Sequence, residues 1–111
     1  MADWYYNPED LDKFEQAGEA APDLTQKFFD YYNSVLDQGN LTSREKALIG
    51  LAVAHTLQCP YCIDAFTQSC LEKGSSTEEM TEAVHVVTAI RGGASLVHGV
   101  QMRNIIQKLS M

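Results

Sequence analysis

The chain has 111 residues, the size of one small domain, so residues 1–111 are predicted to form a single domain. Eight Lys and Arg against fifteen Asp and Glu give a net charge of -7, a sign that disfavours nucleic acid as a partner. The longest apolar run, residues 47–54, is far shorter than a membrane span, and the first residues lack the features of a secretory signal. A cytoplasmic protein without membrane contact is therefore expected.

Capping signals and helical periodicity predict an all-α fold of about six helices, and no sustained alternation of apolar and polar residues indicates a strand. Thr42 with Glu45, and Ser76 with Glu79, have the spacing of capping boxes. The predicted helices begin after Asn7, at Pro22, at Thr42, at Pro60 and at Ser76, and a sixth follows a break or kink at Gly92–Gly93.

The third predicted helix is apolar on every face over residues 47–54. Such a helix should be surrounded, either at the centre of the domain or partly at a subunit contact. A chain of this size also gains from covering spare apolar surface, so a homo-oligomer is expected. Trp4, Tyr5 and Tyr6 are predicted to form an aromatic plug over the core or over a partner subunit.

The motif with the clearest chemistry is Cys59-Pro60-Tyr61-Cys62. Because Pro60 is tolerated only in a first helical turn, Cys59 is predicted to be the N-cap of the fourth helix. Two thiols at this spacing can form a disulfide, and the helix dipole stabilises a thiolate there. A thiolate attacks a peroxide oxygen or a disulfide sulfur, and the second thiol resolves the product. The pattern indicates a redox pair.

Two alternatives stay open. The thiol pair, with Cys70 or His55, could bind a soft ion such as arsenite or zinc, although a zinc site needs four ligands and no second such pair exists. The chain could also be a catalytically silent partner of another enzyme. Burial is the expected role of Cys70, and no cofactor or metal is expected for the redox function.

His55 is the first candidate for a catalytic base, because it lies four residues before Cys59 and an imidazole can take a proton from a thiol. The alternative is a histidine that only satisfies a backbone carbonyl. Further candidates for a proton relay or a pocket wall are Glu45, His85, Arg91 and His98.

Residues 42–54, residues 59–65 and residues 78–83 resemble the carboxymuconolactone decarboxylase-like superfamily, which includes alkylhydroperoxidase D. Residues 5–11 and 89–99 are similar to its peroxidase-like branch associated with arsenosugar biosynthesis. The resemblance implies an all-helical fold, assembly as a dimer, trimer or hexamer, and no metal. It also implies a peroxide or disulfide substrate and an external dithiol reductant.

The resemblance implies that Cys62 attacks and Cys59 resolves, whereas the helix terminus alone favours the reverse order. The family's relay glutamate and histidine would fall at Ala47 and Phe66, so neither relay group is in place. His55 is predicted to replace them, with Glu45 second. The predicted function is a thiol-dependent peroxidase or disulfide reductase that uses the cysteine pair.

Overall fold

The computed structural model describes residues 6–110, and within that range it contains six helical segments and no strand. The predicted all-α class is confirmed, while Trp4 and Tyr5 of the predicted plug lie outside the described residues. A 3-10 helix over Pro8–Gly18 is followed by α1 (Pro22–Leu36), α2 (Ser43–Leu57), α3 (Pro60–Glu72), α4 (Thr77–Val97) and α5 (Gly99–Ser110).

The helix starts lie where the local capping signals place them. The Thr42 hydroxyl accepts the amide of Glu45 at 3.0 Å, and the Glu45 carboxylate accepts the amide of Thr42 at 2.8 Å. Ser76 and Glu79 exchange the same pair of bonds at the start of α4. Gly74 has a φ of +84°, the left-handed conformation predicted for the terminator after α3.

The predicted break at Gly92–Gly93 is wrong, because α4 continues through both glycines to Val97. Glycine lowers helix stability by only about 1 kcal/mol relative to alanine and keeps its backbone amide, so it does not by itself end a helix. The boundary lies instead at His98, which separates α4 from α5.

The core lies on one side of α2, where Ala47 and Leu51 pack with the fully buried Cys70 of α3. Leu48, Phe66 and Met80 pack against this cluster from α2, α3 and α4. The opposite side of α2 is open, since Ile49 and Val53 are each about half exposed at 50% and 49%. Within the chain, other helices therefore cover one side of α2, and the other side is left for the predicted subunit contact.

The far end of the molecule has an uncovered apolar face. Every described residue of α5 after Gly99 is exposed, and the main packing contact of α5 is with α4. The radius of gyration is 19.2 Å, against roughly 13 Å for a compact chain of about this length. The face is formed by Val86, Ile90, Leu96, Val97, Val100, Met102, Ile105, Ile106 and Leu109, which we call the α4–α5 face.

Over residues 6–110, no helix is both long enough and apolar enough to cross a bilayer.

Candidate active site at the thiol pair

A tight corner between α2 and α3 positions the two thiols. Gln58 ends α2 in the left-handed conformation, with φ 54° and ψ 43°, and the chain then becomes extended at Cys59. Pro60 opens α3 with its fixed φ, and Ile63 donates the first helical hydrogen bond to the Cys59 carbonyl at 2.9 Å. Cys59 is therefore the N-cap, as predicted.

The side chain of Cys59 takes the role that an oxygen usually has at an N-cap. Its Sγ accepts the backbone amide of Cys62 at 3.3 Å. Both residues are free thiols and both are partly exposed. The two thiols are thus reachable from solvent and lie within one turn of helix.

The surroundings drive the two thiol pKa values in opposite directions. The pKa of Cys59 is lowered, first by the hydrogen bond from the Cys62 thiol and then, against the opposing effect of burial, by the amides of Cys62 and Tyr61. Burial raises the pKa of Cys62 to about 11, with further contributions from its hydrogen bond to Cys59 and the charge there. Of the two thiols, Cys59 ionises the more readily, and Cys62 holds its proton more strongly.

The pair opens into a cavity of about 580 Å³ between α3, α1 and the 3-10 helix. Its wall is mainly apolar and aromatic, with a few polar groups from the 3-10 helix. The lining residues are Asp10, Leu11, Lys13, Phe14, Gln16, Ala17, Tyr32, Cys59, Tyr61, Cys62 and Ala65. A volume of this size suits a small molecule next to the sulfur atoms.

Tyr32 of α1 is a cavity residue that sequence reasoning did not identify as functional. Burial raises the pKa of its phenol, and the charges of Cys62 and then Cys59 raise it further. Periodicity indicated only that Tyr31 or Tyr32 lies on the apolar side of its helix. No signal in the sequence places Tyr32 in the same cavity as the thiols, so this placement emerges only from the folded chain.

Tyr6, just before the 3-10 helix, contacts α3. Its hydroxyl donates to Oδ2 of Asp64 at 2.6 Å, and its ring meets Tyr61 edge-on at a centroid distance of 4.8 Å. Within the described residues, the predicted aromatic plug therefore covers the start of the thiol-bearing helix.

His55 lies on the last turn of α2 and is not among the lining residues of the cavity. Its Nδ1 donates to the Leu51 carbonyl at 2.8 Å, which leaves Nε2 as the ring nitrogen able to accept a proton. The ring therefore satisfies a backbone carbonyl, as in the alternative to a catalytic role. A catalytic part for His55 stays a prediction.

The other relay candidates are also placed away from the cavity wall. Glu45 is engaged in its capping box, where hydrogen bonds to Thr42 lower its pKa. His85 and Arg91 are exposed on α4, and His98 is exposed with its Nδ1 bonded to the Ala94 carbonyl at 2.6 Å.

Cys70 packs in the core, where burial raises its pKa. Among residues 6–110, no group of three or more His, Cys, Asp and Glu side chains is arranged to hold a metal ion. The soft-ion alternative gains no support from this geometry.

Known proteins with similar sequences and structures agree with the fold. A Paracoccus denitrificans protein described as "uncharacterized protein 4 in cox locus" is 32% identical over 83 residues, 75% of each chain. A solved Methanobacterium thermoautotrophicum protein is 30% identical, with a TM-score of 0.72 over 76% of this chain and 94% of that one. A Thermotoga maritima protein is 25% identical, with a TM-score of 0.69 over 91% and 89%.

The similarity extends to a family model. The model of the carboxymuconolactone decarboxylase family matches residues 22–102, which include α1 to α4, the thiol corner and the start of α5. The narrower arsenosugar-associated branch stays a prediction. With a family match over more than half of its length, the chain belongs to the carboxymuconolactone decarboxylase family.

Proposed function

We propose that this protein is a thiol-dependent peroxidase in which Cys59 and Cys62 cycle between the dithiol and the disulfide. The observation that carries the proposal is the opposed pair of thiol pKa values at the edge of a substrate-sized cavity. One sulfur is prepared for nucleophilic attack, and the other keeps a proton until it is needed. These are the two states that a peroxide-reducing dithiol requires at the start of its cycle.

The proposed cycle begins when the Cys59 thiolate attacks the terminal oxygen of a hydroperoxide. The O–O bond breaks, the alcohol leaves, and Cys59 becomes a sulfenic acid. Cys62 then attacks the Cys59 sulfur, water is released and a disulfide forms. An external dithiol restores the pair by thiol–disulfide exchange. Such a cycle suits a reducing compartment such as the cytoplasm.

Cys59 is the proposed nucleophile, the reverse of the order that the family resemblance implies. The reason is physical: Cys59 accepts the Cys62 amide and thiol, whereas burial disfavours a charge on Cys62. The cavity supports a small hydroperoxide rather than a protein disulfide as the oxidising substrate, because its volume fits a small molecule.

We also expect copies of the chain to associate through the α4–α5 face. An exposed apolar surface of this extent on a small chain is typical of a subunit contact.

The test is a count of free thiols after one equivalent of an alkyl hydroperoxide, followed by turnover with a panel of dithiol donors. The wild-type protein should lose two thiols and form a Cys59–Cys62 disulfide. Cys59→Ser should not react, and Cys62→Ser should stop at a sulfenic acid on Cys59 that dimedone traps. Cys70→Ala is the matched control and should keep turnover.

Survival of both thiols in the wild-type protein would rule the peroxidase out. Oxidation by small disulfides but not by hydroperoxides would instead assign a disulfide reductase to the same pair. A dimedone adduct on Cys62 in Cys59→Ser would reverse the order of attack.

A further inference from the structure

The proposed reaction needs a proton donor beside the thiols. When Cys59 attacks a hydroperoxide, the electron pair of the O–O bond goes to the leaving oxygen, which departs as a strongly basic alkoxide unless it is protonated. His55, the candidate from spacing, is not in the cavity wall. Cys62 must keep its proton for the second step. The donor must therefore be another group on the wall.

Tyr32 is the wall residue best placed to be that donor. Tyr61 also lines the cavity, but it is exposed and its ring packs against Tyr6. Asp10 and Lys13 pair with each other at 3.6 Å on the 3-10 helix, which engages both charged groups. Tyr32 is partly buried and interacts electrostatically with both thiols.

The ring of Tyr32 is held while its hydroxyl is left available. Its centroid lies 6.0 Å from that of Phe14, 5.5 Å from that of Phe28 and 6.1 Å from that of Phe29. Among residues 6–110, its hydroxyl has no hydrogen-bond partner. A fixed ring with a free hydroxyl on the same wall as two sulfurs is suited to proton transfer.

We propose that Tyr32 is the catalytic acid that protonates the oxygen leaving from the hydroperoxide when Cys59 attacks. This inference rests on the proposed peroxidase function and adds a residue to it. The Cys59 thiolate takes the terminal OH, the O–O bond breaks, and the alkoxide receives the Tyr32 proton and leaves as an alcohol. The products of this step are a Cys59 sulfenic acid, an alcohol and a Tyr32 phenolate.

The second step returns the proton to Tyr32. The phenolate takes the proton of the Cys62 thiol, and the new thiolate attacks the Cys59 sulfur. Hydroxide leaves and combines with the proton that Cys59 released at the start. In the overall reaction, two thiols and a hydroperoxide give a disulfide, an alcohol and water. The raised pKa values of Tyr32 and Cys62 suit this exchange, because each group holds its proton until the step that uses it.

The test compares two oxidants on Tyr32→Phe, which keeps the ring and removes only the hydroxyl. With tert-butyl hydroperoxide the rate constant of Cys59 oxidation should fall on the order of 10²-fold, the usual contribution of a general acid. With peracetic acid it should change little, because a carboxylate leaves without needing a proton. Tyr31→Phe is the matched control: Tyr31 is the adjacent tyrosine of α1, 70% exposed, and should match the wild type with both oxidants.

Each outcome decides. An equal fall of the rate constant with both oxidants would assign Tyr32 a structural role and overturn the proposal. A Tyr32→Phe rate constant with tert-butyl hydroperoxide that matches the wild type would also overturn it. Because both oxidants act on the same sample, the ratio of their rate constants is insensitive to a partly unfolded fraction. If neither oxidant converts the wild-type protein to the disulfide, the proposed peroxidase function is wrong. If the wild type reacts and Tyr32→Phe reacts equally fast, only the proposed role of Tyr32 is wrong.

Discussion

The hydroxyl of Tyr6 donates a 2.6 Å hydrogen bond to the carboxylate of Asp64, across a sequence separation of 58 residues. This bond is the first cause of the lowered Asp64 pKa, with Gln68 contributing next. Asp64 lies two residues after Cys62, so the contact joins the N-terminal segment to the turn of α3 that carries the thiols. The hydrogen bond therefore links the residue just before the 3-10 helix to α3, and both of these helices line the cavity.

Tyr6→Phe should weaken the attachment of the 3-10 helix to α3. The edge-on contact with Tyr61 remains, while the hydrogen bond to a charged acceptor is lost, so the 3-10 helix should open more often. Amide hydrogen exchange over residues 8–18 should become faster, and exchange in the middle of α4 should not change. Unchanged exchange over residues 8–18 would show that Tyr6 does not hold this segment.

Removal of the Cys62 thiol should make Cys59 a weaker acid. The hydrogen bond from Cys62 is the largest cause of the lowered Cys59 pKa, so Cys62→Ala should move the pH midpoint of Cys59 alkylation by iodoacetamide upward. Cys62→Ser keeps a donor at the same place and should retain most of the effect. Equal midpoints in the alanine variant and the wild type would contradict the assigned hydrogen bond.

Gly50→Ala should destabilise the fold, against the usual benefit of alanine in a helix. An added Cβ would lie 2.4 Å from the Cδ1 and Cε1 atoms of Phe66, which packs against the core. Overpacking of this kind costs about 1–3 kcal/mol of the free energy of unfolding, measured by urea titration.

Gly92→Ala is the control for Gly50→Ala, because nothing lies within 4 Å of a Cβ built at Gly92 in α4. This variant should gain about 0.5–1 kcal/mol from the reduced freedom of the unfolded chain. Adding Phe66→Leu to Gly50→Ala should relieve part of the loss. Equal effects of the two alanines would show that α2 and α3 do not meet closely at Gly50.

Glu79 should give the protein an acid-sensitive contribution to stability. Its hydrogen bond with Arg44 of α2 lowers its pKa from 4.5 to about 2, with further contributions from Ser76. The folded state therefore binds its proton less readily than the unfolded state. The stabilisation is complete above pH 4.5 and is lost as pH falls from there to about 2.

Glu79→Gln isolates this charge, because glutamine can still complete the capping box. The difference in free energy of unfolding between the variant and the wild type should be largest at neutral pH and should shrink as the pH approaches 2. Glu78→Gln removes the neighbouring charge and is the matched control. A difference that is constant with pH would remove Arg44 as the cause.

Ile105→Asp should dissociate the expected oligomer. The isoleucine is 57% exposed on the α4–α5 face, so a buried charge there would be unpaired in an assembly. Sedimentation analysis should give a mass above one chain for the wild type and a lower mass for the variant. Gln107→Glu places a charge elsewhere on α5 and should leave the mass unchanged. A wild-type mass of one chain would refute association through this face.

The elements with local causes were predictable from the sequence. The N-caps at Thr42, Cys59 and Ser76, and the left-handed Gly74, each depend on a few neighbouring residues, and all four appear where expected. The break in α4 was misplaced, because a pair of glycines weakens a helix without removing a hydrogen bond.

The site was only partly predictable, because its walls come from distant parts of the chain. The cysteine pair lies within one helical turn, so its geometry followed from spacing. The prediction for His55 required α2 to persist to Leu57, which it does, but the left-handed Gln58 then redirects the chain before Cys59. A catalytic part for His55 therefore stays a prediction. Tyr32 and the 3-10 helix reach the thiols only through tertiary packing, on which spacing has no bearing.

The N-cap position of Cys59 has a consequence for the covalent cycle. A bond between its sulfur and that of Cys62 would close a ring that spans only two intervening residues, and so small a ring removes little freedom from the unfolded chain. Oxidation and reduction would then change the chemistry of the corner while leaving the helical framework nearly as stable as before. In the proposed cycle, the protein would not have to refold between turnovers.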